Sequence, residues 1–544
     1  MDMANTTPAM PRGYLFDERG LVREKDGAAI ANFFLYPTKT YCEAGHTLPS
    51  FCDIMLVKKE GQKLLQSRIK LSELNRSWWK EPPPGCYYYQ ETKSPRRHVE
   101  VLFQEFVGRL TPLEIFRPTV LGWETLPSGD SVYVTGDGAI GSDGYLPSDQ
   151  IWISEELEGY RLETMPGANK EAAIQYFWKV YQALPGISEI LLANTLAAIL
   201  FPFFKAAGVE SRFPIILEGP SEAKKTTLAC LTSSIYNRKS QPRSCAATLV
   251  STGRALERKG GELRHAVIVF DDLFPDGGGL LEQKALDLIR DIANQLPRSS
   301  CSGKALEDRV MECGAVITAE AFPPCGASTR TRCLRLILEH PVPNRLLLSI
   351  QEHPELLGNV FERFIRFVAG RYDIIKRQIT EDFREYRKQR ADSGECAIHS
   401  ERLAEIGFVL YTALKTFLSM VYDPDSNSLA ETLKQFEKRV NAWLEWQLSP
   451  QAMPGCGKLL SAIVALVRSA PNEFAPRQGY ACITPSRLCA LLQNYCQDAT
   501  ISVPDVIRQL RMGRLLSMDK SGTATKKIKG LGRCLCIDVQ RLNS

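Results

Sequence analysis

The chain has 544 residues and a net charge of +5, and its 44% hydrophobic and 24% charged content is ordinary for a soluble globular protein. This length predicts roughly three or four domains, and so small a net charge does not by itself indicate a nucleic-acid partner. The sixteen cysteines include no C-x-x-C pair, and the six histidines do not cluster with them at zinc-binding spacing. The pattern argues against a structural zinc site or a disulfide framework and favours a reduced, cytoplasmic chain.

Residues 1 to 165 are predicted to form a β-rich N-terminal domain. Strand-like runs at 33–36, 52–57 and 131–134 are bounded by Gly, Pro, Ser and Asp. The stretch 136–141 matches G-x-G-x-x-G after a strand, but loop-type residues follow it where a dinucleotide-binding fold requires a helix. The sequence therefore predicts a glycine-rich turn at this place.

Helix-favouring segments at 171–184 and 187–207 come next. The second contains a long apolar run that is interrupted by Glu189, Asn194 and Lys205. Because a membrane span needs about 20 apolar residues with few charges, this segment is predicted to be a buried helix. No membrane partner is expected.

A short apolar run at 215–217 leads into a turn-rich stretch and then a helix-favouring segment. This is the order of a phosphate-binding P-loop, in which backbone N–H groups and the helix N-terminus face the phosphates. Lys225 is expected to reach the β and γ phosphates, and the Thr226 hydroxyl is expected to hold Mg²⁺. The predicted nucleotide-binding residues are Gly219, Pro220, Ser221, Glu222, Ala223, Lys224, Lys225, Thr226 and Thr227.

One position departs from the pattern G-x-x-x-x-G-K-[ST]. Lys224 stands where the second glycine is expected, and its Cβ would crowd a place where the backbone approaches the nucleotide. Taken alone, the stretch has an alternative interpretation as an ordinary strand-to-helix turn containing two lysines.

The apolar run 265–270 predicts a buried strand that ends in two carboxylates, Asp271 and Asp272. This is the Walker B form. The residues between Lys225 and Asp271 leave room for a helix, a strand and a second helix. Asp271 is then expected to help hold Mg²⁺, and Asp272 to orient or deprotonate the attacking water. A core strand ending in solvated acids is the alternative.

Polar residues also mark the next two predicted strands. The fourth strand ends in Thr318 and Glu320, which are candidates for sensing the γ-phosphate, and Arg330 and Arg332 come just before the fifth strand. An arginine there is suited to reach the nucleotide of a neighbouring subunit, where a guanidinium stabilises charge on the transferring phosphoryl group. A solvated basic edge is the alternative for the arginines. The five strands indicate an α/β fold with an AAA+-type P-loop core, a parallel sheet of order 5-1-4-3-2.

Residues from about 120 to 370 resemble the helicase-like ATPases carried by phages, plasmids and chromosomal cassettes. That family was first catalogued as a domain of unknown function and is often associated with primases. The matching stretches are 122–123 with Tyr133 and 136–141, then 219–227, 252–257, 270–275, 317–320 and 328–334. The resemblance implies an ATP-driven motor that forms a ring, translocates on DNA and unwinds it.

The resemblance also favours Arg332 over Arg330 as the arginine finger, since Arg332 falls at the family's arginine position. Lys224 departs from the family's glycine. The chain has no primase signature, so a primase partner would be a separate protein.

Two further regions follow the predicted ATPase core, a helical one and then a basic one. Residues 349–448 are densely charged with amphipathic spacing, which suits a helical lid or linker. From residue 449 onward the chain resembles a winged helix, and thirteen Lys and Arg stand against five Asp and Glu, a net charge of +8. Basic residues on the third helix and the hairpin tip are typical of phosphate contacts. A winged helix that contacts protein is the alternative.

The predicted domains are a β-rich domain (1–165), an ATPase domain (166–348), a helical lid or linker (349–448) and a winged helix (449–544). Together they predict an ATP-dependent DNA helicase or translocase of the replicative, mobile-element type. It would use ATP and Mg²⁺, bind single-stranded or forked DNA, and form a homo-oligomeric ring, a hexamer. One alternative is a slow or inactive nucleotide-binding switch that recruits DNA or protein through its tail. A weaker one is a transcription regulator that uses the winged tail.

Overall fold

The computed structural model describes residues 8–43, 46–74, 82–148, 150–209, 212–274, 278–295, 310–323, 325, 327–393, 400–423, 426–448, 458–496, 501–512, 515–517 and 523–540. The chain forms two compact units. The first comprises Met1–Pro118, Leu126–Gly129 and Leu146–Ser154, and the second comprises Thr119–Thr125, Asp130–Tyr145 and Glu155–Ser544.

The first unit is mainly β-structure. Its elements are β1 (Tyr14–Asp17), β2 (Gly20–Arg23), β3 (Ala29–Ala31), β4 (Phe33–Glu43), β5 (Phe51–Lys58), β6 (Lys63–Lys70), α1 (Leu71–Glu73), α2 (Pro95–Val107) and β7 (Leu113–Ile115). β1, β2 and β3 form one sheet, and a second has the order β6-β5-β4-β7. One face of α2, with Leu102, Phe103 and Phe106, is buried in the core that includes the apolar residues of β4 and β5.

The second unit begins with a small antiparallel sheet of order β11-β10-β9-β8. Its strands are β8 (Gly122–Thr125), β9 (Ser131–Thr135), β10 (Gly138–Gly141) and β11 (Gly144–Tyr145). β9 and β10 form a hairpin whose turn is at Gly136 and Asp137. The glycine-rich turn predicted over 136–141 is therefore found only at its first two residues, and the other four form β10. The N–H of Trp123 donates to Nδ1 of His265 (3.0 Å), and the Tyr133 hydroxyl donates to the carbonyl oxygen of His265 (2.8 Å). These bonds attach the small sheet to the segment that precedes the Walker B strand.

Four helices follow: α3 (Glu155–Glu158), α4 (Lys170–Tyr181), α5 (Ser188–Ile199) and α6 (Phe201–Ala207). Asn169 begins α4 as its N-cap, since its side-chain oxygen accepts the N–H of Ala172 at 2.7 Å. Every residue of α5 is buried, as predicted. The single helix predicted over 187–207 is instead divided into α5 and α6, which meet at a 70° bend where Pro202 lacks the N–H that would continue the helix.

A five-stranded parallel sheet forms the centre of the second unit. It contains β12 (Pro214–Glu218), β13 (Ala246–Thr248), β14 (Val267–Leu273), β15 (Gly314–Ala319) and β16 (Leu334–Ile337), in the order β13-β14-β15-β12-β16. The helices between them are α7 (Lys225–Ser233), α8 (Gly253–Glu262), α9 (Gly278–Asn294) and α10 (Ala327–Arg330). β12 and β15 are buried along their whole length, as apolar parallel strands covered on both faces must be. The carboxyl ends of parallel strands share one edge, so the residues that follow β12, β14 and β15 meet there.

A helical segment comes next, with α11 (Asn344–Gln351), α12 (Glu355–Ala369), α13 (Tyr372–Ser393), α14 (Glu401–Val421) and α15 (Asn427–Leu448). α12 is amphipathic and buries one face, including Leu357, Phe361 and Phe364. The helical character predicted for 349–448 is therefore found.

By length and apolar composition alone, one helix among the described residues could cross a membrane, namely α14. There are two if α5 and α6, which meet at a 70° bend, are counted as one span. The most apolar window of α14 is 56% buried. Core helices of soluble proteins pass the same test, so this is weak evidence for a span.

The C-terminal region has three helices and an antiparallel sheet. The elements are α16 (Lys458–Ser469), β17 (Ala475–Arg477), β18 (Tyr480–Ile483), α17 (Pro485–Cys496), α18 (Val503–Met512), β19 (Thr525–Ile528) and β20 (Gly532–Asp538). The sheet order is β17-β18-β20-β19. Apolar residues of the three helices pack with Leu535 and Ile537 of β20 in one core.

Candidate active site

The P-loop begins at the carboxyl end of β12, where Gly219 is buried. A Cβ at this position would lie 2.8 Å from the carbonyl oxygen of Leu338 and 3.1 Å from its Cβ. The N–H of Gly219 donates to the carbonyl oxygen of Ala319 at the end of β15 (3.1 Å). A residue with a Cβ would have to displace the backbone at Leu338, which accounts for the first glycine of the motif.

Two residues of the loop have left-handed backbone conformations. The φ angles are 62° for Glu222 and 65° for Lys224, and Lys224 is the residue immediately before α7. A non-glycine residue in this conformation costs roughly 1–2 kcal/mol. The second glycine of the pattern therefore has a conformational reason, and Lys224 adopts the same conformation under strain.

The Lys225 ammonium lies inside the loop, where it donates to the carbonyl oxygens of Gly219 (2.9 Å) and Pro220 (2.7 Å). Burial lowers the pKa of Lys225, while the carboxylates of Glu320, Asp271 and Asp272 act against that shift. The ammonium thus interacts electrostatically with acidic residues that the sequence predicted for the same site.

Asp271 accepts hydrogen bonds from two other predicted site residues. One of its carboxylate oxygens, Oδ1, accepts the Thr226 hydroxyl at the start of α7 and the Thr318 hydroxyl at the end of β15, each at 2.5 Å. Thr318 is buried and Thr226 is half-buried. The topology therefore brings together the threonine of the predicted P-loop, the first carboxylate of the predicted Walker B motif and the polar end of the fourth predicted strand.

Asp272 lies in a β-bulge. The register between β14 and β15 shifts between Phe270 and Leu273, and Asp272 has a φ of 71°. A bulge redirects side chains at the end of a strand and is frequent beside active sites. The two adjacent carboxylates consequently differ: Asp271 is half-buried with its hydroxyl partners, whereas Asp272 is exposed to solvent.

The remaining loop residues and Glu320 lie around this centre. Glu320 is half-buried, and its N–H donates to the carbonyl oxygen of Leu273 (2.9 Å). The carbonyl oxygen of Ala223 accepts the N–H of Val342 (3.2 Å). Pro220, Ser221, Glu222 and Lys224 are exposed, Ala223 is buried, and Lys225 and Thr227 are half-buried.

The two predicted finger arginines lie at the other edge of the sheet. β16 runs parallel to β12, and Arg332 precedes its first residue, so it lies near the strand beginnings rather than the P-loop. The four residues of β16 separate the two edges by about 13 Å. The Arg332 guanidinium donates to the Ser328 carbonyl oxygen (2.6 Å), the Ser328 hydroxyl and the Asn294 side-chain oxygen (3.3 Å).

Arg332 also lines a cleft of about 930 Å³, together with Arg387 and Arg402. Partial burial, followed by the charges of Arg402 and Arg290, lowers the pKa of Arg332. Arg330 is half-buried, and among the described residues its Nε is buried without a hydrogen-bond partner. The structure thus separates both arginines from the P-loop of their own chain.

A buried ion pair that the sequence did not indicate links β12, the strand before the loop, to β16. Arg335 of β16 donates from Nε and a terminal nitrogen to the carboxylate of Glu218, at 2.6 and 3.1 Å. Glu218 also accepts the N–H of Phe322 (2.9 Å). A local motif search misses this pair because 117 residues separate its members.

The oxygen atoms around Asp271 fit a magnesium ion delivered with a nucleotide. Mg²⁺ is usually held by one or two carboxylates, water and substrate phosphates, and the Thr226 hydroxyl and Asp271 carboxylate are adjacent hard oxygen donors. Across the described ranges, no group of three or more His, Cys, Asp and Glu side chains could hold a metal ion.

No family model matches the chain, and no curated protein matches it in sequence. Eleven chains of solved structures are similar to it. One is the active helicase SCCmec type IV Cch, which matches over 99% of this chain and 100% of its own, at 15% sequence identity and a TM-score of 0.51. At this identity the likeness shows the fold alone: a mixed α/β fold with a parallel sheet, shared with a helicase.

Proposed function

We propose that this protein is an ATP-dependent DNA helicase or translocase. The observation that carries the proposal is the convergence of Thr226 and Thr318 on one oxygen of Asp271, beside Lys225 and at the common edge of three parallel strands. P-loop NTPases use such an arrangement to bind a triphosphate and its metal. The fold shared with an active helicase supports DNA as the substrate class.

Nucleotide binding would depend on the loop 219–227. Its backbone N–H groups and the N-terminus of α7 would bind the phosphates. Lys225 would leave the carbonyl oxygens of Gly219 and Pro220 and turn to the β and γ phosphates. Thr226 and Asp271 would hold Mg²⁺, which neutralises charge on the phosphate oxygens when bound.

Hydrolysis would depend on the residues at the ends of β14 and β15. The exposed Asp272 is free of the hydroxyl contacts of Asp271, so it is suited to orient or deprotonate water. Thr318 and Glu320 would sense the γ-phosphate, because Thr318 already contacts the metal-binding carboxylate and Glu320 acts on Lys225.

The arginines support a site completed by a second copy of the chain. Arg332 lies at the opposite edge of the sheet, so it would act on the nucleotide of an adjoining subunit in a ring, as a hexamer provides, with Arg330 as the second candidate. Arg332 is the better candidate because it lines an open cleft, whereas the Nε of Arg330 is buried.

The rest of the proposal concerns the domains and partners. The strand order β13-β14-β15-β12-β16 supports an AAA+-type core, and the helices and sheet of 458–540 support a winged helix that contacts DNA. We retain the divisions after residues 348 and 448, a replicative, mobile-element role, and a separate primase as partner. The predicted domain 1–165 does not coincide with the first compact unit, because β8–β11 and residues from 155 onward belong to the second. None of the described cysteines forms a disulfide, which supports a cytoplasmic protein.

The test is the ATPase rate with and without single-stranded or forked DNA, together with a strand-displacement assay. We expect hydrolysis that DNA stimulates, and its loss in Lys225→Ala and Asp272→Asn. Lys434→Ala, an exposed lysine on α15, serves as the control and should behave as the wild type. An ATPase rate that DNA does not change, or the absence of ATP hydrolysis, would contradict the proposal.

A second candidate function is a nucleotide-binding switch with slow or no turnover. The observation that favours it is the strained conformation of Lys224 beside the phosphate-binding loop. Tight nucleotide binding without hydrolysis, combined with DNA or protein binding by the tail, would support the switch over the motor.

A further inference from the structure

Arg238 is a buried arginine, only 3% exposed, in the segment that follows α7. Its guanidinium donates to the carbonyl oxygens of Leu231 (2.5 Å) and Ser234, which lie in the last turn of α7 and at its C-cap. Its Nε donates to the carbonyl oxygen of Pro354 (2.9 Å), the residue before α12. One side chain therefore joins the end of α7 to the beginning of α12.

The partners of Arg238 are unusual for a buried charge. Among the described residues, those that bond it are backbone carbonyls, and the ring of Phe361 lies 6.0 Å from the guanidinium. The dipole of α7 favours a cation at its C-terminus. Burial lowers the pKa of Arg238 to about 10, so the group is charged at neutral pH. Lysine could not replace it, because an ammonium lacks the planar fork that reaches three separated acceptors.

The segment that follows α7 is also hydrogen-bonded to residues 159–163. The Asn237 side chain donates to the carbonyl oxygen of Gly159 and accepts the N–H of Arg161 (3.0 Å). The Glu163 carboxylate accepts the N–H groups of Lys239 (2.7 Å) and Ser240 (3.0 Å). The C-terminal end of α7 is thus anchored to two other segments.

The opposite end of α7 carries Lys225 and Thr226. α7 has nine residues and is therefore about 13 Å long, a short rigid rod at 1.5 Å per residue. Its first residues contact the loop carbonyls and Asp271, and its last are fixed by Arg238. A displacement of either end of so short a helix moves the other.

We infer that Arg238 is a positioning residue for the nucleotide site: it fixes Lys225 and Thr226 relative to α12, so that nucleotide binding and the order of α12 are coupled. The inference rests on the proposed nucleotide binding. Coupling of this kind is reciprocal, so loosening α12 from α7 must weaken nucleotide binding.

The test compares Arg238→Lys and Arg238→Met with the wild type and with Arg243→Met, a matched control because Arg243 is exposed on the same connection. Affinity is measured with a fluorescent ATP analogue, and hydrogen exchange of residues 355–361 is followed with and without ATP. In the wild type and the control, ATP should slow exchange at α12. Both Arg238 variants should bind nucleotide about tenfold more weakly and lose that protection.

A rescue experiment separates positioning from general stability. Ethylguanidinium added to Arg238→Ala should restore nucleotide affinity as well as melting temperature. Recovery of the melting temperature alone would leave only a structural role, and folded Arg238 variants with wild-type affinity and protection would overturn the inference.

Failure of the proposed function would look different. The wild type itself would then bind no nucleotide. The connection that Arg238 makes between α7 and α12 would still be tested by the hydrogen exchange of residues 355–361 without nucleotide. Faster exchange in Arg238→Lys than in the wild type would support this connection, and unchanged exchange would overturn it.

Discussion

Glu222, Lys224 and Asp272 have positive φ angles although none is glycine, and all three lie at the candidate site. Non-glycine residues persist in this conformation only where the surrounding structure requires it, and such strain concentrates at functional sites. For Asp272 the strain accompanies the bulge that separates its side chain from that of Asp271. For Lys224 it allows the chain to turn from the loop into α7.

Replacing Lys224 by glycine should relieve the strain. We expect Lys224→Gly to raise the free energy of unfolding by up to about 1 kcal/mol, since the relief of left-handed strain exceeds the entropy that glycine adds to the unfolded chain. We also expect faster ATP hydrolysis, because the Cβ is removed from beside the phosphates. Urea denaturation and steady-state kinetics measure the two effects. Lys224→Ala keeps a Cβ and is the control; equal behaviour of both variants would contradict the prediction.

At the scale of elements, the small sheet β8–β11 depends on a buried histidine. His265 is 5% exposed, and its Nδ1 accepts the N–H of Trp123. Burial, together with the charges of Arg264, Arg212 and Lys205, lowers the pKa of His265 well below its ordinary value. The ring is therefore neutral in the folded protein, and its protonation would remove the acceptor that holds β8.

This lowered pKa predicts a loss of stability in acid. Below a pH of about 6.5 the unfolded chain binds a proton at this histidine and the folded chain does not, so the stability decreases by about 1.4 kcal/mol per pH unit until the folded pKa is reached. Above that pH the contribution is complete. Urea denaturation between about pH 7.5 and about pH 5.5 measures the slope, which should be shallower in His265→Asn, whose side chain does not titrate. Equal slopes would contradict the prediction.

The hairpin of β19 and β20 tests the proposed DNA-binding tail. Lys527 is exposed, whereas Lys526 donates to the Ser517 hydroxyl (2.7 Å) and lies over the ring of Tyr480. Lys527→Ala should weaken DNA binding and lower the slope of log affinity against log salt by about one. Fluorescence anisotropy at several salt concentrations measures it, with Lys434→Ala as the control. An unchanged slope would place the DNA contact elsewhere.

At the scale of the whole molecule, the parallel sheet places the P-loop and Arg332 at opposite edges. In the proposed motor, a single copy would carry half of a hydrolytic site at each edge. Two copies would then be complementary, as in a ring built from head-to-tail interfaces.

This arrangement predicts that two inactive variants restore activity when mixed. Lys225→Ala and Arg332→Ala should each lose DNA-stimulated hydrolysis. In an equal mixture, about a quarter of the interfaces should pair an intact P-loop with an intact arginine, as head-to-tail assembly allows. The ATPase rate of refolded mixtures measures the recovery. No recovery in mixed rings would mean that Arg332 acts within its own chain or not at all.

The sequence by itself determined the secondary structure around the motifs. The apolar runs at 215–217 and 265–270 and the polar residues that end them are local features, so β12, β14 and α7 were predicted at the places where they are found. The turn before β10 and the burial of α5 were likewise predicted, because turn chemistry and a mainly apolar composition are both local.

Only the tertiary structure decided which residues, distant in sequence, form hydrogen bonds or ion pairs with one another. The sequence predicted Thr226 and Thr318 for separate tasks, and the strand order brings both hydroxyl groups to Oδ1 of Asp271. The bridge from Arg238 to Pro354 spans 116 residues and carries no motif. Local propensity does not encode such pairs, since they arise from the order in which parallel strands pack and from the helices that cover them.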